Sequence, residues 1–188
     1  MSAPRPGYRE RPAQGALECL WVRVAGEDGE RTDVLPDACS DLIWRAGRGA
    51  FVAGPDTGPV AVDSAPGAVL LGIRFRPGAG GAALGLPLSE LRDRRVDLAE
   101  LDPVLAEQLH GGLDPREAAA VLERLARELA PAPADPAVAA AVARLGDPGA
   151  RVDALAAEIG FSERADQPHL AHEVAKLAGT TPSALSNR

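Results

Sequence analysis

Short apolar runs alternate with turn-forming glycine, proline and aspartate over roughly the first 90 residues, and this pattern predicts β-strands. The two longest runs are Leu17–Val24 and Val69–Phe75, and shorter ones lie at residues 32–35, 42–44, 51–53 and 60–62. Strands this short, separated by turns, are typical of all-β layers. The N-terminal half is therefore predicted to form an antiparallel β-barrel or sandwich.

The alternation within the two long runs predicts which side chains share a face of the sheet. In the first run, one face carries Leu17, Cys19, Trp21 and Arg23. In the second run, Arg74 and Arg76 share the face opposite Ile73 and Phe75. Each long strand thus presents an apolar side and a side with polar groups.

Helical spacing replaces this two-residue period after about residue 79. Apolar positions predict a helical stretch over residues 87–109, and Asp114 followed by Pro115 predicts the start of a helix over residues 116–129. The proline-rich segment 131–134 then indicates a linker. The chain is accordingly divided into a β-rich domain with a helical connector, residues 1–130, and a helical region, residues 135–188.

The last segment contains two further helical patterns with a turn between them. The first covers residues 152–159 and ends at Gly160, and the second covers about residues 167–178 and ends at Gly179. This order predicts a helix-turn-helix, so the fold class is α+β, with the β-layers first and an α-helical C-terminal region after them.

Composition and charge narrow the function classes. A formal net charge of -7 and a pI near 5.0 argue against a general affinity for nucleic acid, which needs clustered basic residues. No apolar run approaches the length of about 18 residues that spans a bilayer, and the first residues lack a signal-peptide pattern. These features predict a cytoplasmic protein without a membrane partner, in which Cys19 and Cys39 are reduced thiols; a disulfide is the alternative.

The C-terminal segment resembles the DNA-binding region of the AraC-type bacterial transcription regulators. Residues 152–162 read VDALAAEIGFS, similar to the first helix and turn of a motif in that family, and residues 166–170 and 179–185 read DQPHL and GTTPSAL, similar to its second motif. The stretches LPDACSDLIW, VAGPDT and GIRFRPG at residues 35–44, 52–57 and 72–78 resemble the β-rich N-terminal domain of one actinobacteria-rich branch. The resemblance implies a cupin-like sensor or dimerisation domain ahead of a DNA-reading domain.

The chain also departs from this family. The DNA-binding domain of the family normally holds two helix-turn-helix motifs joined by a long helix. In this chain only 38 residues remain from Arg151 onward. Our hypothesis is an internal deletion that joins the front of one motif to the back of the other, with the turn lengthened by residues 163–165. A longer turn re-aims the recognition helix, which depends on a short turn for its angle.

The resemblance still assigns DNA contacts. Gln167, His169 and His172 match positions that read base edges, while Arg164 and Lys176 match positions nearer the phosphates. Residues 151–188 contain four basic and five acidic residues, a net charge of -1, so few phosphates could be neutralised. A DNA-binding regulator, dimeric because one motif reads few base pairs, is the first interpretation. The alternative is a ligand- or partner-binding protein whose truncated motif does not bind DNA.

Metal and catalytic sites find little support in the sequence. The pair His169 and His172 has helical spacing suited to metal, but a third ligand is lacking nearby apart from the adjacent Glu173. A site built from Asp37, Cys39 and Asp41 lacks the histidines of a cupin centre, because no histidine precedes His110.

The sequence evidence for catalysis and for phosphate binding is equally weak. The glycine stretch 78–81 matches neither phosphate-binding fingerprint and reads as a strand-to-helix connection. No nucleophile elbow is present, so no catalytic residue, metal or cofactor is predicted.

A small-molecule effector is the remaining ligand. Aromatic walls with one or two polar groups suit such molecules, and the candidate lining residues are Trp21, Trp44, Arg74, Phe75 and Arg76. Arg74 or Arg76 would favour an anionic or carbonyl-bearing effector. The alternative is that the three aromatic side chains only fill the core.

Overall fold

The computed structural model describes residues 5–133 and 142–144, and it confirms the α+β class. Within these residues, antiparallel sheets of six and two strands come first, apart from one short strand among the helices, and short helices followed by one long helix come after them. The predicted helix-turn-helix, residues 151–188, lies outside the described residues. None of the helices in the described ranges is long and apolar enough to cross a bilayer.

In the part of the chain that the structure describes, eight strands form the two sheets. They are β1 Gly7–Pro12, β2 Leu17–Val24, β3 Glu30–Val34, β4 Ser40–Arg45, β5 Gly49–Ala53, β6 Val60–Ser64, β7 Val69–Phe75 and β8 Arg95–Asp97. The larger sheet has the order β1-β2-β7-β4-β5-β8, and β3 pairs with β6 in the smaller one. Every neighbouring pair is antiparallel.

The apolar runs located six of these strands, and the two longest runs coincide with β2 and β7. β1 escaped prediction because all six of its residues are exposed, so this edge strand has no apolar alternation. β8 escaped because it has three residues and lies inside the stretch assigned to helix. Its strand structure comes from pairing with β5, which no local pattern records.

The helical part begins after β7. It contains α1 Gly80–Leu84, a 3-10 helix Leu88–Glu90, α2 Leu98–Leu101, α3 Pro103–Gln108 and α4 Pro115–Leu129. The helical stretch predicted over residues 87–109 contains the 3-10 helix, α2 and α3, but the prediction is wrong at residues 95–97, which form β8.

Helix α4 was predicted almost to the residue because local capping interactions define its first residue. The Asp114 side chain accepts from the backbone of Arg116 and Glu117, the Glu117 side chain accepts from the Asp114 backbone, and Pro115 occupies the first turn. Its apolar side, with Leu122 and Leu125 buried, packs on β7 and β2.

The main core lies between the larger sheet and the helices. The sheet contributes alternate positions of its central strands, among them Leu42, Trp44, Val52, Ile73 and Phe75, each fully buried. Leu17 also belongs to this core, so placing it on one face with Cys19, Trp21 and Arg23 was wrong. The register of β2 against β7 shifts between Leu17 and Cys19, and this irregularity reverses the facing of Leu17.

The end of α4 is fastened to the loop between β1 and β2. Ala16 donates its backbone N–H to the carbonyl of Ala130 at 3.0 Å, and a Cβ at Gly15 would lie 2.0 Å from that oxygen. Only glycine permits this approach. The point where the chain leaves α4 is thus tied to the point where β2 begins.

Candidate functional site

A cavity of about 640 Å³ lies between the larger and the smaller sheet, on the side of the larger sheet opposite the helices. We call it the inter-sheet cavity. The larger sheet supplies its floor, with Trp21, Arg23, Asp41, Ile43, Arg45, Phe51, Ala53, Leu70, Arg74, Arg95 and Asp97. The smaller sheet and the segment that follows β3 supply the facing wall, with Val34, Leu35, Pro36, Asp37, Val62 and Ser64.

Strand register arranges the floor in three rows that run across the strands. The first row is Cys19, Arg74, Asp41, Ala53 and Arg95; the second is Trp21, Gly72, Ile43, Phe51 and Asp97; the third is Arg23, Leu70, Arg45 and Gly49. The first row is rich in charge, the second is mostly apolar, and the third carries two arginines. An apolar band therefore crosses the floor between two rows that hold cations.

The centre of the first row is a partly buried ion pair. Arg74 Nε donates to Asp41 Oδ1 at 3.2 Å, and Arg74 Nη1 lies 3.4 Å from Asp37 Oδ2. Trp21 Nε1 completes the cluster by donating to Asp41 Oδ1 at 2.7 Å. We call Trp21, Asp37, Asp41 and Arg74 the central polar cluster.

Burial and charge act in opposite directions on the two members of this pair. Burial raises the pKa of Asp41, while Arg74 and the Trp21 hydrogen bond act to lower it. For Arg74, burial lowers the pKa, but the carboxylates of Asp41 and Asp37 outweigh it, so the pKa of the guanidinium is raised. Arg74 is therefore a permanent cation whose charge is balanced inside the cluster.

Gly72 lets the Trp21 indole lie across β7 and reach Asp41. The two residues pair directly, and a Cβ at Gly72 would lie 2.3 Å from Trp21 Cε2 and 2.6 Å from its Nε1. Those distances are well below a van der Waals contact. The glycine is thus required by the indole lying over it rather than by its own backbone conformation.

Replacing Gly72 by alanine is expected to push the indole off the floor, break its bond to Asp41 and lower the free energy of unfolding by about 2 kcal/mol. The indole N–H resonance of Trp21 would move towards its solvent-exposed position in an NMR spectrum. Gly58→Ala is the matched control, because nothing lies within 4 Å of a Cβ there. An unshifted Trp21 resonance in Gly72→Ala would contradict this account of the floor.

The other arginines near the two ends of the floor also have carboxylate partners. Arg95 binds Asp56 through two nitrogens, one of them 2.6 Å from Oδ2. Arg23 Nη2 lies 2.9 Å from Glu30 Oε1, across to the smaller sheet. Paired in this way, they contribute polar walls without a large excess of charge.

Arg45 differs from these cations. Its Nε is buried and has no hydrogen-bond partner within the described residues, and its guanidinium carbon lies 5.8 Å from the Phe51 ring centroid. A guanidinium placed over a ring face makes a favourable contact. Arg45, which lines the cavity, therefore has a buried donor that no described residue satisfies.

The structure divides the five residues predicted to contact an effector. Trp21 and Arg74 line the inter-sheet cavity. Trp44 and Phe75 are fully buried on the helix side of the sheet, the location that core filling requires. Arg76 lies past the end of β7, where it contacts Glu18 at 2.7 Å and the Gly15 carbonyl at 3.2 Å.

The cysteines are thiols rather than a disulfide. Cys19 lies on β2 and Cys39 precedes β4, and β7 runs between those strands, which separates them by about two strand spacings of roughly 4.8 Å. A disulfide needs closer Cα atoms than this. Burial raises the pKa of the Cys19 thiol, which Arg74 partly offsets.

Two residues of the metal site considered at Asp37, Cys39 and Asp41, the two aspartates, belong to the central polar cluster, where they contact Arg74. The described residues hold no group of three potential metal ligands. The second weighed site, at His169, His172 and Glu173, lies outside them, as do the predicted DNA contacts Arg164, Gln167, His169, His172 and Lys176.

Sequence reasoning missed several residues of the cavity, above all Arg45, Phe51 and Arg95. A signal for Arg45 was present, because it follows Asp41 at a distance of four residues and shares its face of the strand. Arg95 left no such signal, since β8 was not recognised as a strand. The smaller sheet, which covers the floor, is likewise set by pairing between distant segments.

Comparison with known proteins gives one match. A family model described as a domain of unknown function (DUF6597) matches residues 12–97. This range covers less than half of the chain and runs from the end of β1 through β8, so it contains nearly the whole floor and the facing wall. Neither the curated proteins nor the solved structures contain a match.

Proposed function

We propose that this chain is a transcription regulator of AraC type, in which the inter-sheet cavity binds a small-molecule effector and the segment 151–188 binds DNA in a homodimer. The observation that carries the sensor part is the cavity itself. Its volume of about 640 Å³ lies in the range of small-molecule sites, and its walls combine an apolar band with a few oriented charges. The DNA part rests on the sequence resemblance.

The cavity is better suited to binding than to catalysis. None of the described residues that line it is a histidine, and His110 lies on the loop before α4, where its Nδ1 accepts from the Gly112 backbone. Arg74 and Asp41 are engaged with each other, so neither is available as a proton donor or acceptor for a substrate. Such groups orient a ligand and give specificity.

A route from the cavity towards the C-terminal segment supports a sensor role. β2 carries Trp21 in the floor, and it begins beside Ala16, which binds the carbonyl of Ala130 at the end of α4. A ligand that moves Trp21 would act on the strand that holds this end of the helix. The chain continues from there into the segment proposed to bind DNA.

The second candidate is a ligand- or partner-binding protein that does not contact DNA. The net charge of -1 over residues 151–188 and the shortened motif favour it. Under this alternative the inter-sheet cavity keeps its role, and the C-terminal segment binds another protein or a full-length relative.

Fluorescence anisotropy separates the two candidates. The full chain is titrated onto DNA from upstream of its own gene and onto a scrambled duplex, at two salt concentrations. A sequence-reading regulator is expected to prefer the upstream DNA and to lose affinity as salt rises. His169→Asn should abolish the preference, whereas the matched control His110→Asn, which retains an acceptor for Gly112, should not.

Equal affinity for both duplexes, or none, would exclude the DNA reader and leave the second candidate. A preference that survives His169→Asn would mean that the residues matched to the family motif are not the ones that read the bases.

A further inference from the structure

We infer that the inter-sheet cavity selects a monocarboxylate with an apolar body, and that Arg45 binds the carboxylate. This inference rests on the proposed role of the cavity as an effector site and specifies the class of effector. It differs from the expectation based on Arg74 and Arg76, because both of those arginines already have carboxylate partners.

Arg45 is placed on the cavity side by strand register. It lies two residues after Ile43 and four after Asp41 on β4, and all three line the cavity, while Leu42 and Trp44 face the core. Its neighbours across the sheet are Leu70 and Gly49, which have no charge. The guanidinium thus stands in apolar surroundings.

An acceptor is missing at this position. Of the two buried side-chain atoms without a hydrogen-bond partner in the described ranges, the other is Ser40 Oγ, which faces the core. A charged donor left unsatisfied in a buried site is unfavourable, and a bound acceptor removes that cost. The Arg45 side chain lines the open cavity, so a ligand carboxylate can approach its guanidinium and supply an acceptor.

The remaining cations of the cavity are not equivalent. Arg74 is balanced by Asp37 and Asp41, Arg95 by Asp56, and Arg23 by Glu30. Arg48 is exposed on the hairpin between β4 and β5, at the same end of the floor as Arg45. It adds positive potential at this end of the floor.

The geometry favours one carboxylate over a larger or more highly charged anion. A guanidinium presents parallel N–H groups that match the two oxygens of a planar carboxylate. Asp97 and Glu100 line the same cavity, and their charges oppose a second negative group on the ligand. A monoanion satisfies Arg45 without meeting this repulsion.

The floor next to Arg45 fits an apolar body. Phe51, Ile43 and Leu70 are the floor residues next to Arg45, and the apolar band leads from there to Trp21. Leu35 is 66% exposed at the facing wall and would lose that exposure against a ligand. Apolar contact supplies affinity here, and the carboxylate supplies orientation.

Calorimetric titration of the full chain with 4-phenylbutyrate and with its neutral amide, 4-phenylbutyramide, tests the inference. The wild-type protein is expected to bind the carboxylate about tenfold more tightly than the amide, which corresponds to one charge-assisted contact. Arg45→Met, which keeps an apolar stem over Phe51, should lose this preference. Arg31→Met, an exposed arginine of the smaller sheet paired with Asp63, should keep it.

Arg45→Lys provides a second variant should Arg45→Met fail to fold: it keeps the charge but not the fork, and a reduced preference for the carboxylate is expected. Equal binding of both probes by the wild-type chain, or a preference that persists without Arg45, would overturn the inference and leave the cavity as an effector site. Failure of both probes to bind would overturn the inference and the effector part of the proposed function together.

Discussion

Replacing Arg74 by methionine is expected to lower the free energy of unfolding by about 3 kcal/mol at neutral pH, because it leaves the buried Asp41 carboxylate without its cation. Methionine fills much of the same volume, so the loss reports charge rather than packing. Trp21 still donates to Asp41, which keeps the cost at the lower end of what broken buried pairs show.

This loss should depend on pH. Burial raises the pKa of Asp41 above its ordinary value of 3.8, and the variant removes the cation that opposes this shift. A carboxyl with a raised pKa in the folded state favours folding when it is protonated and loses that contribution as the pH rises through its folded-state pKa. The destabilisation should therefore be largest at neutral pH and shrink as the pH falls towards the ordinary value.

Urea denaturation of both proteins at about pH 8 and about pH 5 measures the effect, with the slope of the transition monitored for two-state behaviour. Arg76→Met is the matched control. Arg76 lies two residues after Arg74 and pairs with Glu18, and both side chains of that pair are nearly half exposed. An exposed pair contributes little. Equal losses for the two variants, or a loss for Arg74→Met that stays constant with pH, would contradict the assignment.

Local chemistry made much of the fold predictable. The strands β2 and β7 combine apolar and β-branched residues with clear ends, and α4 begins with a complete capping box. These signals involve only a few neighbouring residues, so they can be identified from the sequence. β8 has no such signal, because three residues cannot display a period and its strand structure depends on β5.

The candidate site was harder to predict for a related reason. Trp21 and Arg74 could be assigned to a polar-facing side of their strands, but nothing local distinguishes a strand face that meets helices from one that meets a second sheet. Trp44 and Phe75 were therefore grouped with Trp21, although they lie on the opposite side. The role of Arg45 could be recognised only when the carboxylate partners of the neighbouring arginines were known.

The difference between the two tryptophans leads to the largest expected effect. Trp44→Ala should lower the free energy of unfolding by about 4 kcal/mol, because Trp44 is fully buried and its removal opens a void in the core. Its Nε1 also donates to the His110 carbonyl at 3.0 Å, which joins the larger sheet to the loop before α4. Trp44→Phe should cost less, about 2 kcal/mol, since it keeps most of the apolar volume and loses that bond.

Trp21→Ala is the matched comparison, and urea denaturation of the three variants gives the measurement. Trp21 is partly exposed and faces an open cavity, so its removal creates no closed void and should cost clearly less than Trp44→Ala. It should instead weaken binding of 4-phenylbutyrate, because the apolar band of the floor loses its largest side chain. If Trp21→Ala were as destabilising as Trp44→Ala, the surface assigned to the ligand would be part of the structural core.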